Sequence, residues 1–160
     1  MYRDKKNYFY YLTVTNERYV QPQKPKGKDV DSNIIKGMHR ISKTKKPQIR
    51  LLGSGAILNE SLKAAEILSD LGIESEVWSV TSFNMLRKDG MEVENENIKN
   101  PSNKAKESFV TESFNEHDIP TVASTDYIRA YSEQIRPYIN SSYYTPVSYT
   151  HLTLPTICSV

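Results

Sequence analysis

The sequence predicts an α/β fold. Short apolar, β-branched runs alternate with a stretch of helical periodicity. A glycine-rich turn joins the first such run to its helix, and a second strand-to-helix turn follows at Ser124-Thr125-Asp126-Tyr127. Between Gln48 and Ile135 the order is strand, turn, helix, strand, helix, strand, helix, the signature of a largely parallel sheet flanked by helices.

At the amino-terminal end, Tyr8 to Val14 (Tyr-Phe-Tyr-Tyr-Leu-Thr-Val) is aromatic and β-branched and reads as a buried strand. Such a strand needs neighbours on both sides, and little chain precedes this one, so a missing upstream segment is expected. The same aromatics could stack on nucleic-acid bases, but burial in a sheet explains them better. Gln21 to Lys28 combines two prolines, a glycine and three lysines and reads as a linker. Ile34 to Ile41 is expected to form a short extended element, followed by a basic connector, Ser42 to Pro47. These features place a domain boundary near residue 46.

Gln48 to Leu52 is the first strand of the second unit, and Gly53-Ser54-Gly55 turns it. Ile57, Leu58, Leu62, Ala65, Leu68 and Leu71 then recur on one helical face, and Gly72 fits a left-handed stop. Ser75 to Val80 is the next strand, and a strand-helix-strand unit of this length implies parallel pairing. Ser82 is expected to cap a short helix through Leu86 that stops at Asp89-Gly90. The polar stretch Met91 to Ser108 reads as an excursion with one or two helical turns. A helix is expected over Ala105 to Glu116, with Phe109 and Phe114 as its apolar contacts. Thr121 to Ala123 is the third strand. Thr125 or Asp126 then caps a helix with Ile128, Tyr131 and Ile135 inward, ended by Pro137.

Composition narrows the functional classes. The 160 residues carry a net charge of +2, too small to indicate nucleic acid. The basic residues cluster early, at Lys24, Lys26, Lys28, Lys36, Arg40, Lys43, Lys45 and Lys46. They sit among Pro and Gly with no aromatic platform, so a solvated linker explains them better than a phosphate-binding patch. The single cysteine, Cys158, permits no internal disulfide. The amino terminus lacks a signal-like apolar core, and no run approaches the roughly 20 apolar residues of a membrane span. Neither nucleic acid nor membrane is an expected partner, and the expected compartment is the cytoplasm.

The residues that carry chemistry do not assemble into a site. Gly53-Ser54-Gly55 lies where a phosphate could bind, but a dinucleotide fingerprint needs a third glycine where Leu58 stands. The turn is therefore expected to let helix pack on strand. Glu74 and Glu76 fall where a ribose-binding acid would lie and are expected to be solvent-exposed. His39, His117 and His151 lack paired ligand spacing, so no zinc site is expected. Asp118 beside His117 reads as a solvated loop pair, and Ser54 fails the nucleophile-elbow pattern.

Several segments in order nonetheless carry a resemblance: Phe9-Tyr10-Tyr11-Leu12-Thr13, Asn16-Glu17-Arg18-Tyr19, Pro25-Lys26-Gly27, Leu51-Leu52-Gly53-Ser54-Gly55, Ala64-Ala65-Glu66-Ile67-Leu68, Val77 to Phe83, Val122 to Tyr127 and Glu133-Gln134-Ile135-Arg136. Together, over about residues 7 to 144, they resemble the thiamine-diphosphate-dependent first component of pyruvate dehydrogenase complexes, in its homodimeric bacterial form. The resemblance implies that residues 1 to 46 are the end of a middle domain plus connector, and residues 47 to 145 a truncated transketolase-like carboxyl-terminal domain. It also implies a parent that decarboxylates pyruvate with thiamine diphosphate and Mg2+. That parent would pass the two-carbon unit to lipoyl on an acetyltransferase component and work as a homodimer. The cofactor-binding motifs of such enzymes have no counterpart here, so no residue of the chain is assigned a catalytic, cofactor-binding or metal role. The chain alone is expected to be inactive, to bind no cofactor, and to be aggregation-prone or partly folded.

Residues 146 to 160 depart from the family and read as translated foreign DNA. Other readings are a different thiamine-dependent transketolase-like enzyme, a non-catalytic dimerisation or regulatory module, and a nucleotide-binding domain, the last undercut by Leu58.

Overall fold

The computed structural model describes residues 18–146. The expected strand at Tyr8 to Val14, and the tail from Val147 onward with His151 and Cys158, lie outside them. Five strands form one sheet in the order β1-β3-β2-β4-β5. They are β1 (Met38–Ser42), β2 (Ile49–Gly53), β3 (Ser75–Val80), β4 (Thr121–Ser124) and β5 (Tyr143–Tyr144). β2 pairs parallel with β3 and with β4, β4 pairs parallel with β5, and β1 pairs antiparallel with β3.

Helix α1 (Val30–Lys36) precedes β1, where an extended element was expected from Ile34. Its end is fixed by Gly37 at φ 119°, whose N–H donates to the carbonyls of Asn33 and Ile34. Only after that turn does the chain extend into β1. The boundary expected at residue 46 therefore lies between β1 and β2, two strands of one sheet.

Helix α2 (Ile57–Asp70) packs on one sheet face. There Leu51, Leu58 and Val77 form a small core, with Leu62, Ala65 and Leu68 against it. The helix closes as expected: Gly72 takes φ 77°, its N–H donates to the Ser69 carbonyl, and the Ile73 N–H reaches Leu68. The larger core fills the opposite face, with Met38, Leu52, Trp78, Val80, Phe83, Leu86, Val110, Phe114, Ile135 and Tyr138. Trp78 and Phe114 meet edge to face, their centroids 5.3 Å apart.

Helix α3 (Phe83–Lys99) is capped by Ser82, whose hydroxyl accepts from the Met85 N–H at 3.2 Å. It does not stop at Gly90 but runs on to Lys99, through the first half of the stretch expected to be an excursion. Gly90 is buried, and a Cβ there would run into the Tyr138 ring. The glycine serves close packing in mid-helix rather than termination. Helix α4 (Phe109–Phe114) is shorter than expected, opening at the Ser108 cap. The Asp89 carboxylate accepts from the Phe109 N–H at 2.7 Å and ties this start to α3.

Helix α5 (Arg129–Glu133) starts later than expected. The Thr125 hydroxyl accepts from the Tyr127 N–H at 3.3 Å, forming a local turn instead of a cap. Ile128 consequently stays exposed at 64%, whereas Ile135 is buried and Tyr131 half-buried as expected. The helix ends at Glu133, before Pro137, which lies within a 3-10 turn over Arg136–Tyr138.

Candidate functional site

At the carboxyl ends of the strands, the Gly53-Ser54-Gly55 turn leads into α2. A Cβ on Gly53 would lie 2.7 Å from both Leu58 Cα and Ser61 Oγ. Space beside Gly53 is thus filled by the helix, a packing role, whereas a Cβ on Gly55, at φ 60°, would meet nothing nearer than Asp126 Oδ1 at 4.0 Å.

The structure draws its main polar constellation from a different place, near the amino-terminal ends of β2 and β4. Arg50 and Glu76 stand opposite each other on the parallel pair β2–β3 and are 1% and 2% exposed. Glu76, expected to face solvent, is instead buried, because the alternation of β3 puts it on the same face as Trp78 and Val80. Arg50 Nε donates to Glu76. One Nη1 hydrogen goes to Thr121 Oγ1 at 3.2 Å, and Nη2 reaches the Phe114 and His117 carbonyls at 3.5 and 3.0 Å. The guanidinium also lies 4.0 Å from the Phe114 ring centroid.

Glu76 is held further by the Trp78 indole N–H at 3.2 Å and by Arg40 at 3.8 Å. Burial pulls the Arg50 guanidinium below its usual range, and the hydrogen bond to Glu76 works against that pull. A buried pair with this many partners is a structural bolt between strands, not an acid–base couple. The sequence did carry its signal: both charges fall at core-facing positions of otherwise apolar strands.

Glu74 is exposed, as expected, and accepts from Thr44 Oγ1 at 2.7 Å. Part of the early basic cluster is neutralised. Lys24 pairs with Asp31 at 2.7 Å, and Arg40 and Lys43 both meet Glu116 at 2.9 Å. Those two cations, Lys43 first, hold the Glu116 carboxyl at about 2, well below its ordinary 4.5. Lys36 lies over the Phe109 ring at 4.8 Å.

His39 is buried in β1 with Nδ1 unbonded, and burial pulls its pKa down. His117 is half-buried and Asp118 exposed. Both line a cavity of about 230 Å3 with Arg50, Phe114, Tyr138 and Asn140. Among the described residues, no three His, Cys, Asp or Glu side chains converge to hold a metal ion. No described helix is long and apolar enough to cross a membrane.

A family model of the transketolase-like TK C-terminal domain matches residues 37–145. The pyruvate dehydrogenase E1 component of Pseudomonas aeruginosa is 47% identical over 148 residues, covering 90% of this chain and 17% of that protein. The component of the same name from Cupriavidus necator is 41% identical over 148 residues, covering 89% and 16%. That from Escherichia coli K12 is 39% identical, covering 90% and 16%. The chain therefore spans about a sixth of the length of the curated relatives it matches. Among solved structures, transketolase from Campylobacter jejuni is 19% identical over 72% of this chain and 15% of its own, with a TM-score of 0.44.

Proposed function

The chain belongs to the transketolase-like TK C-terminal domain family, and on that premise we propose that it serves as the carboxyl-terminal part of a pyruvate dehydrogenase decarboxylating component. The carrying observation is identity of 39–47% to three E1 components along nearly all of this chain. Similarity at that level along one ordered stretch favours the pyruvate enzyme over transketolase proper, since a shared fold alone does not fix function.

In this reading the whole enzyme decarboxylates pyruvate and hands the two-carbon unit to lipoyl on an acetyltransferase component. It does so as a cytoplasmic homodimer. Thiamine diphosphate, with Mg2+, supplies the carbanion stabilisation. Beside Gly53 the space is taken by Leu58 and Ser61, and among the described residues no three His, Cys, Asp or Glu side chains converge on a metal position. In this reading cofactor and metal are held by parts of the enzyme beyond the described residues, and no catalytic residue is assigned here. The chain's own contribution is a rigid two-cored layer, bolted by Arg50 and Glu76, that supports the neighbouring domains. The domain unit is taken to begin at β1, since β1 shares its sheet with β2 to β5.

A chimera tests this. Residues 37–145 replace the matching segment of the Pseudomonas aeruginosa E1 component, and lipoyl acetylation from pyruvate is measured. The chimera should retain thiamine-dependent activity, while the 160-residue chain alone should show none. A chimera that folds and dimerises yet leaves pyruvate untouched would count against the reading, as would pyruvate turnover by the isolated chain.

A further inference from the structure

The cavity of about 230 Å3 beside Arg50 has polar groups that the fold itself does not use. A guanidinium has five N–H donors. Four of Arg50's bonds are accounted for by Glu76, Thr121 and the carbonyls of Phe114 and His117. One Nη1 hydrogen is left without a partner among the described residues, on a side chain that is 1% exposed. On the cavity's outer side, Asp118 makes no hydrogen bond or ion pair among the described residues, and its charge is felt at Arg50. The Phe114 and Tyr138 side chains are buried beside it and supply apolar walls.

Two features define what fits. The surrounding charges balance: Arg40, Lys43 and Arg50 against Glu76, Glu116 and Asp118, the first five linked in one chain of contacts. A ligand of net charge would upset that balance in a partly desolvated place, whereas a ligand carrying both signs would not. The volume equals about eight waters at ~30 Å3 each, which leaves room for a small amino acid with ordered water beside it.

We propose that this cavity binds a small zwitterion of the amino-acid class, its carboxylate taking the remaining Nη1 hydrogen of Arg50 and its ammonium group facing Asp118. The site is independent of the decarboxylase reading. It lies near the amino-terminal ends of the strands, away from the Gly53-Ser54-Gly55 turn.

Saturation-transfer difference NMR tests the proposal, because it reports weak ligands at dilute protein. L-Serine is the probe, with acetate and ethylammonium as half-molecule controls, on the full 160-residue chain. Serine should give a saturable signal with a millimolar or tighter Kd, and each control should bind at least tenfold more weakly. Asp118→Asn, an exposed position that leaves the core intact, should weaken serine at least tenfold and leave acetate unaffected. No saturable serine signal up to roughly 10 mM, about ten times a millimolar Kd, would overturn the proposal. So would acetate binding as well as serine, or an Asp118→Asn chain that binds serine unchanged.

Discussion

Arg50 and Glu76 hold β2 to β3 from inside the core, and each depends on the other. Removing one partner leaves a buried charge uncompensated, which typically costs about 3–5 kcal/mol, whereas exchanging both for apolar groups of similar volume is often neutral. Glu76→Ala should therefore lower unfolding stability by about that amount in urea titration. Arg50→Met combined with Glu76→Leu should recover most of the loss. A Glu76→Ala chain as stable as its parent would show that the pair is not a bolt. Gly90 makes a second residue-scale point. Alanine favours helix over glycine by about 1 kcal/mol, so Gly90→Ala would stabilise an unobstructed helix. Here the new methyl meets the Tyr138 ring, and overpacking of a filled core costs typically about 1–3 kcal/mol. The melting temperature should fall, and Tyr138→Leu in the Gly90→Ala background should restore part of it. At this scale the sequence was only partly legible. Glu76 is hard to read from sequence because its spacing from the turn suits an exposed ribose-binding acid, whereas strand parity decides its burial. Gly90 is ambiguous because a glycine that stops a helix and one that admits a ring look alike until the ring's position is known.

β5 shows how an element with little ladder of its own is retained. It spans two residues and makes two register pairs with β4. Its hold comes from α5 and the turn after it. The Tyr143 hydroxyl donates to the Ser132 carbonyl at 2.7 Å, Arg136 Nη1 donates to the Tyr143 carbonyl at 2.9 Å, and Glu133 gathers Arg129, Arg136 and Thr145. Arg136 above all, with Thr145 and Arg129, holds the Glu133 carboxyl at about 2, below its ordinary 4.5. A carboxyl depressed on folding contributes stability that is complete above its unfolded pKa and is lost as pH falls through the folded one. Amide exchange at Tyr143 and Tyr144, corrected for intrinsic rate, should thus rise as pH falls from about 4.5 to about 2. Glu133→Gln should show the faster exchange already at neutral pH and flatten the acid dependence; an unchanged profile would exclude Glu133 as the clasp.

Of the elements, β2, α2 and β3 were the most legible, because periods of 2 and 3.6 residues and the Gly72 stop all agree there. α5 was not, since Thr125 bonds within its own turn and delays the helix to Arg129.

For the whole molecule, two edge strands and one sparsely covered sheet face decide behaviour in isolation. α2 and its small core lie on that face, and Ile67, Leu71, Tyr144 and Ile128 are largely exposed at the surface. Edges and apolar surface of this kind favour association. The isolated chain should show a sedimentation profile that grows heavier with concentration, and a monodisperse monomer with one cooperative thermal transition would contradict this. The fold class was legible because parallel sheets leave a strong pattern of apolar runs and turns. The placement of β1 was not: its partner β3 lies more than thirty residues downstream, and an antiparallel edge strand behind a basic linker leaves no local mark.

The central claim, that this chain is the carboxyl-terminal part of a pyruvate dehydrogenase decarboxylating component, is tested most directly by reading the source DNA across both ends of the frame. The account predicts an open frame running upstream of Met1 into a thiamine-diphosphate-binding domain, and a different continuation in place of residues 146 to 160. An in-frame stop and a ribosome-binding site just before Met1, with the tail unchanged, would contradict it and leave a stand-alone module.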